Sequence, residues 1–123
     1  MKRILLVEDN EDIREALAET LRDSGYDVSE AANGKEALDH LASLSDGPCL
    51  VLLDLMMPVM SGPELLKLMQ ENQRLASLPV IVLSAAGQPE NAPTAKRFIR
   101  KPPDQELLLK LIEEYCRDDE TPS

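Results

Sequence analysis

Leu50-Val51-Leu52-Leu53-Asp54 is a short, unbroken apolar run that ends on an acid. A run without polar residues at alternate positions is how a strand reads when helices cover both faces of its sheet. Two further runs share this character: Ile4-Leu5-Leu6-Val7, followed by Glu8 and Asp9, and Val80-Ile81-Val82-Leu83, followed by Ser84. A weaker strand, Tyr26 to Ala31, follows the turn at Ser24-Gly25, and a fifth, Arg97 to Lys101, has Phe98 and Ile99 at its centre. The segments between them carry helical patterns. Ile13, Leu17 and Leu21 recur every fourth residue. Asn33 stands three residues before Glu36, a start resembling a capping box, for a helix carrying Leu38 and Leu41. Ser61 and Glu64 repeat that spacing ahead of Leu65, Leu68 and Met69. After Pro102-Pro103, Asp104 can cap a last helix with Leu107, Leu108, Leu111, Ile112 and Tyr115. Strict alternation of strands and helices predicts an α/β fold, a doubly wound five-stranded parallel sheet with right-handed crossovers. Residues 1–123 read as a single domain without repeat or linker, and 118–123 as a polar tail.

Composition narrows the function. Hydrophobic residues make up 43% of the 123, enough for a core, but Tyr26, Tyr115 and Phe98 are the only aromatics, so that core is aliphatic. A net charge of −10 argues against a nucleic-acid partner, because phosphate backbones demand Lys/Arg patches. No apolar run approaches a membrane span, and Met1-Lys2-Arg3 leads into too few apolar residues for a signal peptide. The expected location is cytoplasmic. Cys49 and Cys116 lack CxxC spacing and a histidine cluster, so they read as two reduced thiols rather than a metal site. His40 is the sole histidine, lies in an Ala/Leu-rich helical pattern, and reads as structural or solvated.

Ligands of open parallel sheets bind beyond the carboxyl ends of the strands. Those ends carry Glu8 and Asp9, then Asp54, then Ser84, then Lys101. Three acids, a hydroxyl and an ammonium therefore converge on one rim. Clustered acids stay ionised most easily around a divalent cation, and an all-oxygen set with room for water suits Mg²⁺.

These residues resemble the receiver domains of two-component response regulators over essentially the whole chain. Leu6-Val7-Glu8-Asp9-Asn10 is similar to the family's acidic pair, and Asp54-Leu55-Met56-Met57-Pro58 with Gly62 to its phosphoacceptor loop. Ser84-Ala85 resembles its hydroxyl-plus-small-residue switch, and Lys101-Pro102 its terminal lysine–proline pair. The resemblance implies a flavodoxin-like fold and a phosphorylation-dependent switch, chemotaxis-regulator-like, that accepts a phosphoryl group on Asp54. The donor would be a histidine kinase or histidine phosphotransfer protein, and the signal would pass to a downstream protein the sequence does not name. It further implies that Asp9, Asp54 and the Met56 carbonyl ligate Mg²⁺, with Glu8 reaching it through water. Lys101, Ser84 and the Ala85 N–H would contact the phosphoryl oxygens, with Ser84 and Phe98 as the switch pair. The Lys101-Pro102 bond resembles one that is cis in the family, and Met56 and Ala86 match the positions flanking the approach of a hydrolytic water. Such a domain catalyses its own phosphorylation and dephosphorylation but turns over no separate substrate.

The chain departs from the family between Ser84 and Lys101. The segment is short, carries Gly87, Pro89, Asn91 and Pro93, and has no large aliphatic residue before Phe98. It predicts a shortened or missing fourth helix, the one leading from the fourth strand to the fifth. A receiver so altered is expected not to form the family's usual phosphorylation-dependent dimer. It would signal through another face, around the first helix or through the segment itself.

Rival readings fare worse. An aspartyl phosphohydrolase needs a second Asp two residues after the first, where this chain has Met56. A nucleotide-binding domain needs a glycine-rich phosphate loop, and none follows the first strand. A degenerate receiver acting as a phosphorylation-independent interaction module would be expected to have lost an acid or the lysine. Residues beyond 117 leave no room for an output domain, so the chain reads as a stand-alone receiver or one cut from a larger protein.

Overall fold

The computed structural model describes residues 3–43, 49–54, 62–84, 95–100 and 104–116. Five parallel strands, β1 (Arg3–Val7), β2 (Asp27–Ala31), β3 (Leu50–Asp54), β4 (Val80–Ser84) and β5 (Arg97–Arg100), form one sheet in the order β2-β1-β3-β4-β5. The helices are α1 (Glu11–Asp23), α2 (Gly34–Ser43), α3 (Gly62–Gln70), the short α4 (Gln73–Ala76) and α5 (Gln105–Tyr115). This is the expected doubly wound, flavodoxin-like architecture. The expected loss of the helix between β4 and β5, and of the dimer face with it, rests on residues 85–94, which lie outside the described residues.

Period-two alternation along each strand divides the core in two. Leu5, Val7, Val51, Leu53, Val80 and Val82 face α2, α3 and α4, whereas Ile4, Leu6, Leu50, Leu52, Ile81 and Leu83 face α1 and α5. Both faces are covered at the centre of the sheet, which is why β1, β3 and β4 read as apolar runs. The helical stripes are narrower than the sequence suggests. Ile13, Leu68 and Leu107 belong to the helices' apolar spacings but are exposed, whereas Ala18 and Leu66 are buried. Residues four apart on a helix drift by about 40° per step, so a stripe centred on Leu17, Ala18 and Leu21 leaves Ile13 at its margin. The short α4 was not anticipated. It is one turn long, and its only signal is Asn72, whose Oδ1 accepts from the Leu75 N–H at 3.2 Å.

Two of the three expected caps form, and the third, at Ser61, lies outside the described residues. Asn33 Oδ1 accepts from the Glu36 N–H at 2.9 Å, while Glu36 Oε1 reaches back to the Ala32 N–H at 3.0 Å, one residue before the usual target. Asp104 Oδ1 accepts from Leu107 at 3.3 Å. At the end of α1 the Tyr26 N–H bonds the Leu21 carbonyl and the Gly25 N–H bonds that of Arg22, with Gly25 at φ 96°. That left-handed turn favours glycine. A Cβ on Gly25 would meet nothing within 4 Å, so Gly25→Ala is expected to cost only backbone strain, about 1–2 kcal/mol. Urea denaturation checks this, and Gly25→Asn should recover part of the loss.

The cysteines correct the sequence reading. Cys49 and Cys116, expected as two separate reduced thiols, are joined in a disulfide with their Cα atoms 5.3 Å apart. The spacing of 67 residues hides a proximity that the topology creates. Cys49 precedes β3, and α5 runs antiparallel to the strands, so its last residue returns to the end of the sheet where β3 begins.

Candidate functional site

Register explains how the acids meet. Val7 pairs with Leu53 across β1 and β3. One residue further along each strand stand Glu8 and Asp54, on the side of the sheet that faces α1 and α5. Asp54 in turn pairs with Leu83 on β4, so Ser84 follows one step beyond it. The site thus sits where the chain reverses its direction of winding, between β1 and β3, the expected place for a ligand in an open parallel sheet.

Glu8, Asp9 and Asp54 each offer a carboxylate oxygen, and these oxygens lie within 4.8 Å of one another. Glu8 and Asp54 are buried and Asp9 is exposed. Two unit charges at that separation repel by roughly 3 kcal/mol at an effective dielectric of about 20. Burial of two of the three limits the relief water can give. Part of the compensation is built from the start of α1. The Asn10 N–H donates to Glu8 Oε2 at 3.1 Å, and Asn10 Oδ1 accepts from Ile13 at 3.0 Å to cap the helix. Arg14 Nη1 donates to the Glu8 carbonyl at 2.9 Å, and its guanidinium also lies 3.4 Å from Glu30. The roles of Asn10 and Arg14 were not singled out in the sequence, although an Asn before an amphipathic stretch is a capping signal.

The donor set fits a small hard cation. All three groups are oxygen ligands, two are fixed by burial, and the exposed Asp9 leaves one side open to the waters that Mg²⁺ retains. Ser84 is fully buried at the end of β4. Phe98 is half-buried against the α2–α3–α4 side of the core, and the Arg100 guanidinium lies 5.5 Å from its ring centroid. Ser84 pairs with Arg100 and Val82 with Phe98, so the hydroxyl and the aromatic ring share one face of neighbouring strands. Lys101, Met56, Ala85 and Ala86 lie outside the described residues. His40 stands in the last turn of α2. None of the described helices is long and apolar enough to cross a membrane.

Residues 4–113 match the family model described as response regulator receiver domain. An uncharacterized 14.6 kDa protein of Leptolyngbya boryana is 36% identical, with 92% of this chain and 88% of that protein covered. The sensor histidine kinase TmoS of Ectopseudomonas mendocina is also 36% identical over 94% of this chain, which corresponds to 10% of the kinase's length. Among solved structures, the response regulator TrrA of Thermotoga maritima in complex with Mg²⁺-BeF superposes with a TM-score of 0.83. It is 31% identical and covers 94% of this chain and 99% of its own. A signal receiver domain of a Syntrophus aciditrophicus histidine kinase gives 0.85 at 27% identity, with 100% of this chain and 96% of that one covered.

Proposed function

This chain belongs to the response regulator receiver domains, the phosphoacceptor modules of two-component signalling, and on that premise we propose that Asp54 is its phosphoacceptor. The observation that supports the assignment is the approach of the Glu8, Asp9 and Asp54 carboxylates to within 4.8 Å at the sheet's switch point. An Asp54 carboxylate oxygen attacks the phosphorus of a phosphohistidine. The P–N bond breaks, the imidazole leaves, and an acyl phosphate remains on Asp54. Glu8, Asp9, Asp54 and the Met56 carbonyl would hold Mg²⁺, which when bound supplies positive charge against the phosphoryl oxygens. The Lys101 ammonium adds a second positive charge, the Ser84 hydroxyl can turn to donate to a phosphoryl oxygen, and the Ala85 N–H can donate another bond. Movement of Ser84 toward the phosphoryl group opens space on its face of the sheet, and Phe98 turns inward to fill it.

The donor in this reading is a histidine kinase or histidine phosphotransfer protein, the receiver of the signal is a further protein, and the reaction takes place in the cytoplasm. Residues 1–123 act as one domain. The test is intact-mass measurement after incubation with a small acyl phosphate. With Mg²⁺ the chain gains one phosphoryl group, and with EDTA it gains none. A chain that stays unlabelled with Mg²⁺ overturns the reading in favour of a phosphorylation-independent interaction module.

Lifetime is a separate expectation. Neither Met56 nor Ala86 can hydrogen-bond a water lined up behind phosphorus, so the acyl phosphate should decay slowly. Met56→Asn should speed the decay by roughly threefold or more, by giving that water a partner. Following the phosphorylated mass over time checks it, and a faster decay in the wild type rejects it.

A further inference from the structure

The Cys49–Cys116 bridge lies at the end of the sheet opposite the acids and takes no part in the phosphoacceptor chemistry. It joins two very unequal pieces of structure. Cys49 is fixed, because its N–H donates to the Arg3 carbonyl at 2.8 Å and extends the β1–β3 pairing by one residue. Cys116 is the residue that ends α5, and its N–H donates to the Ile112 carbonyl at 2.7 Å. Upstream, α5 is anchored by the fully buried Ile112 and by Leu108. Its last turn is intrinsically weak. No basic residue stands there, and Glu113 and Glu114 sit near the negative end of the helix dipole. Burial and the charge of Glu113 both raise the pKa of the Tyr26 phenol, which places that acid close to the end of the sheet. The covalent link therefore pins the last turn of α5 to a residue held against β1 by its backbone.

We propose that Cys49–Cys116 is a reversible redox site whose state sets how firmly the last turn of α5 is held. Cys49 is the less buried residue of the pair, and its Sγ lies 3.1 Å from the Arg3 carbonyl oxygen. A thiolate from a small-molecule or protein dithiol attacks that sulfur and forms a mixed disulfide, and the Cys116 thiolate leaves and takes up a proton. The reductant's second thiol then displaces Cys49, so two electrons pass to the bridge and the dithiol becomes a disulfide. In a thiol-rich compartment a bridge of this kind is transient or redox-sensing rather than permanent. Opened, it releases residues 113–116 while Leu108 and Ile112 keep the rest of α5 in place.

The test compares one chain in two states. Air-oxidised protein treated with N-ethylmaleimide should gain no adduct, and after dithiothreitol, without denaturant, it should gain two. Hydrogen exchange should then be about tenfold faster for the amides of Glu113 to Cys116 in the reduced protein, with Leu108 little changed. The Cys49→Ser, Cys116→Ser double variant should match the reduced protein and ignore reductant. The proposal is overturned by two adducts before reduction, by a bridge that yields only in denaturant, or by equal exchange of the last turn in both states. The wild-type comparison stands even where the double variant fails to fold.

Discussion

Asp54→Asn is expected to take up no phosphoryl group under conditions in which the wild-type chain gains one. The change is nearly isosteric, so the packing around this buried position should survive. What disappears is chemistry. A carboxylate oxygen carries the charge and the lone pair that attack phosphorus, whereas the amide of Asn is a poor nucleophile. Loss of the attacking group removes the reaction rather than slowing it, a drop of at least about 100-fold in labelling. The variant should also be no less stable, because it relieves one repulsion within a cluster whose oxygens lie inside 4.8 Å. Asp9→Ala should fail in another way. The nucleophile remains but a cation ligand is gone, so labelling should fall at low Mg²⁺ and recover as Mg²⁺ is raised. Intact mass across a Mg²⁺ titration separates the two, and labelled Asp54→Asn protein would remove Asp54 from its role.

The contrast between these acids and the cysteines shows what the chain reveals before it folds. Glu8, Asp9, Asp54 and Ser84 were legible because each follows an apolar run, and parallel strands of similar length bring their ends to one rim. Register then did the fine placement, with Val7 opposite Leu53. The disulfide carried no such signal. Its halves are a strand-preceding loop residue and a helix-ending residue, and only the return path of α5 brings them together. Arg14 was silent for the same reason. Its bond to the Glu8 carbonyl depends on how α1 leans over the end of β1, which local pattern does not encode. Ile13, Leu68 and Leu107, which share the apolar spacing and are nonetheless exposed, show that a regular spacing is not yet a face. On a helix the face is set by the angle about the axis, and Ala18 and Leu66 lie nearer its centre.

Leu52→Ala should produce the largest loss of stability of any single truncation in the α1–α5 half of the core. Leu52 sits on β3, the middle strand, with Leu6 and Ile81 beside it on β1 and β4, and it is fully buried. Truncation removes its transfer free energy and leaves a cavity, which together cost about 2–5 kcal/mol in well-packed cores. The upper half of that range applies here for two reasons. Strand neighbours are fixed by their ladders and cannot move inward, and a core without Trp and with few aromatics has no large side chain that can swing across to fill the gap. Against a typical total of about 5–15 kcal/mol, the variant keeps a folded state but loses much of its margin. Leu107→Ala, on the exposed side of α5, should cost less than about 1 kcal/mol. Both should be measured by urea denaturation in the oxidised state. Opening the bridge would remove a crosslink that restricts the unfolded chain and so mix a second effect into the first. A fall in midpoint at unchanged slope identifies the cavity. Equal losses in the two variants would mean that Leu52 is not packed as described, and that the sheet's centre gives way around it.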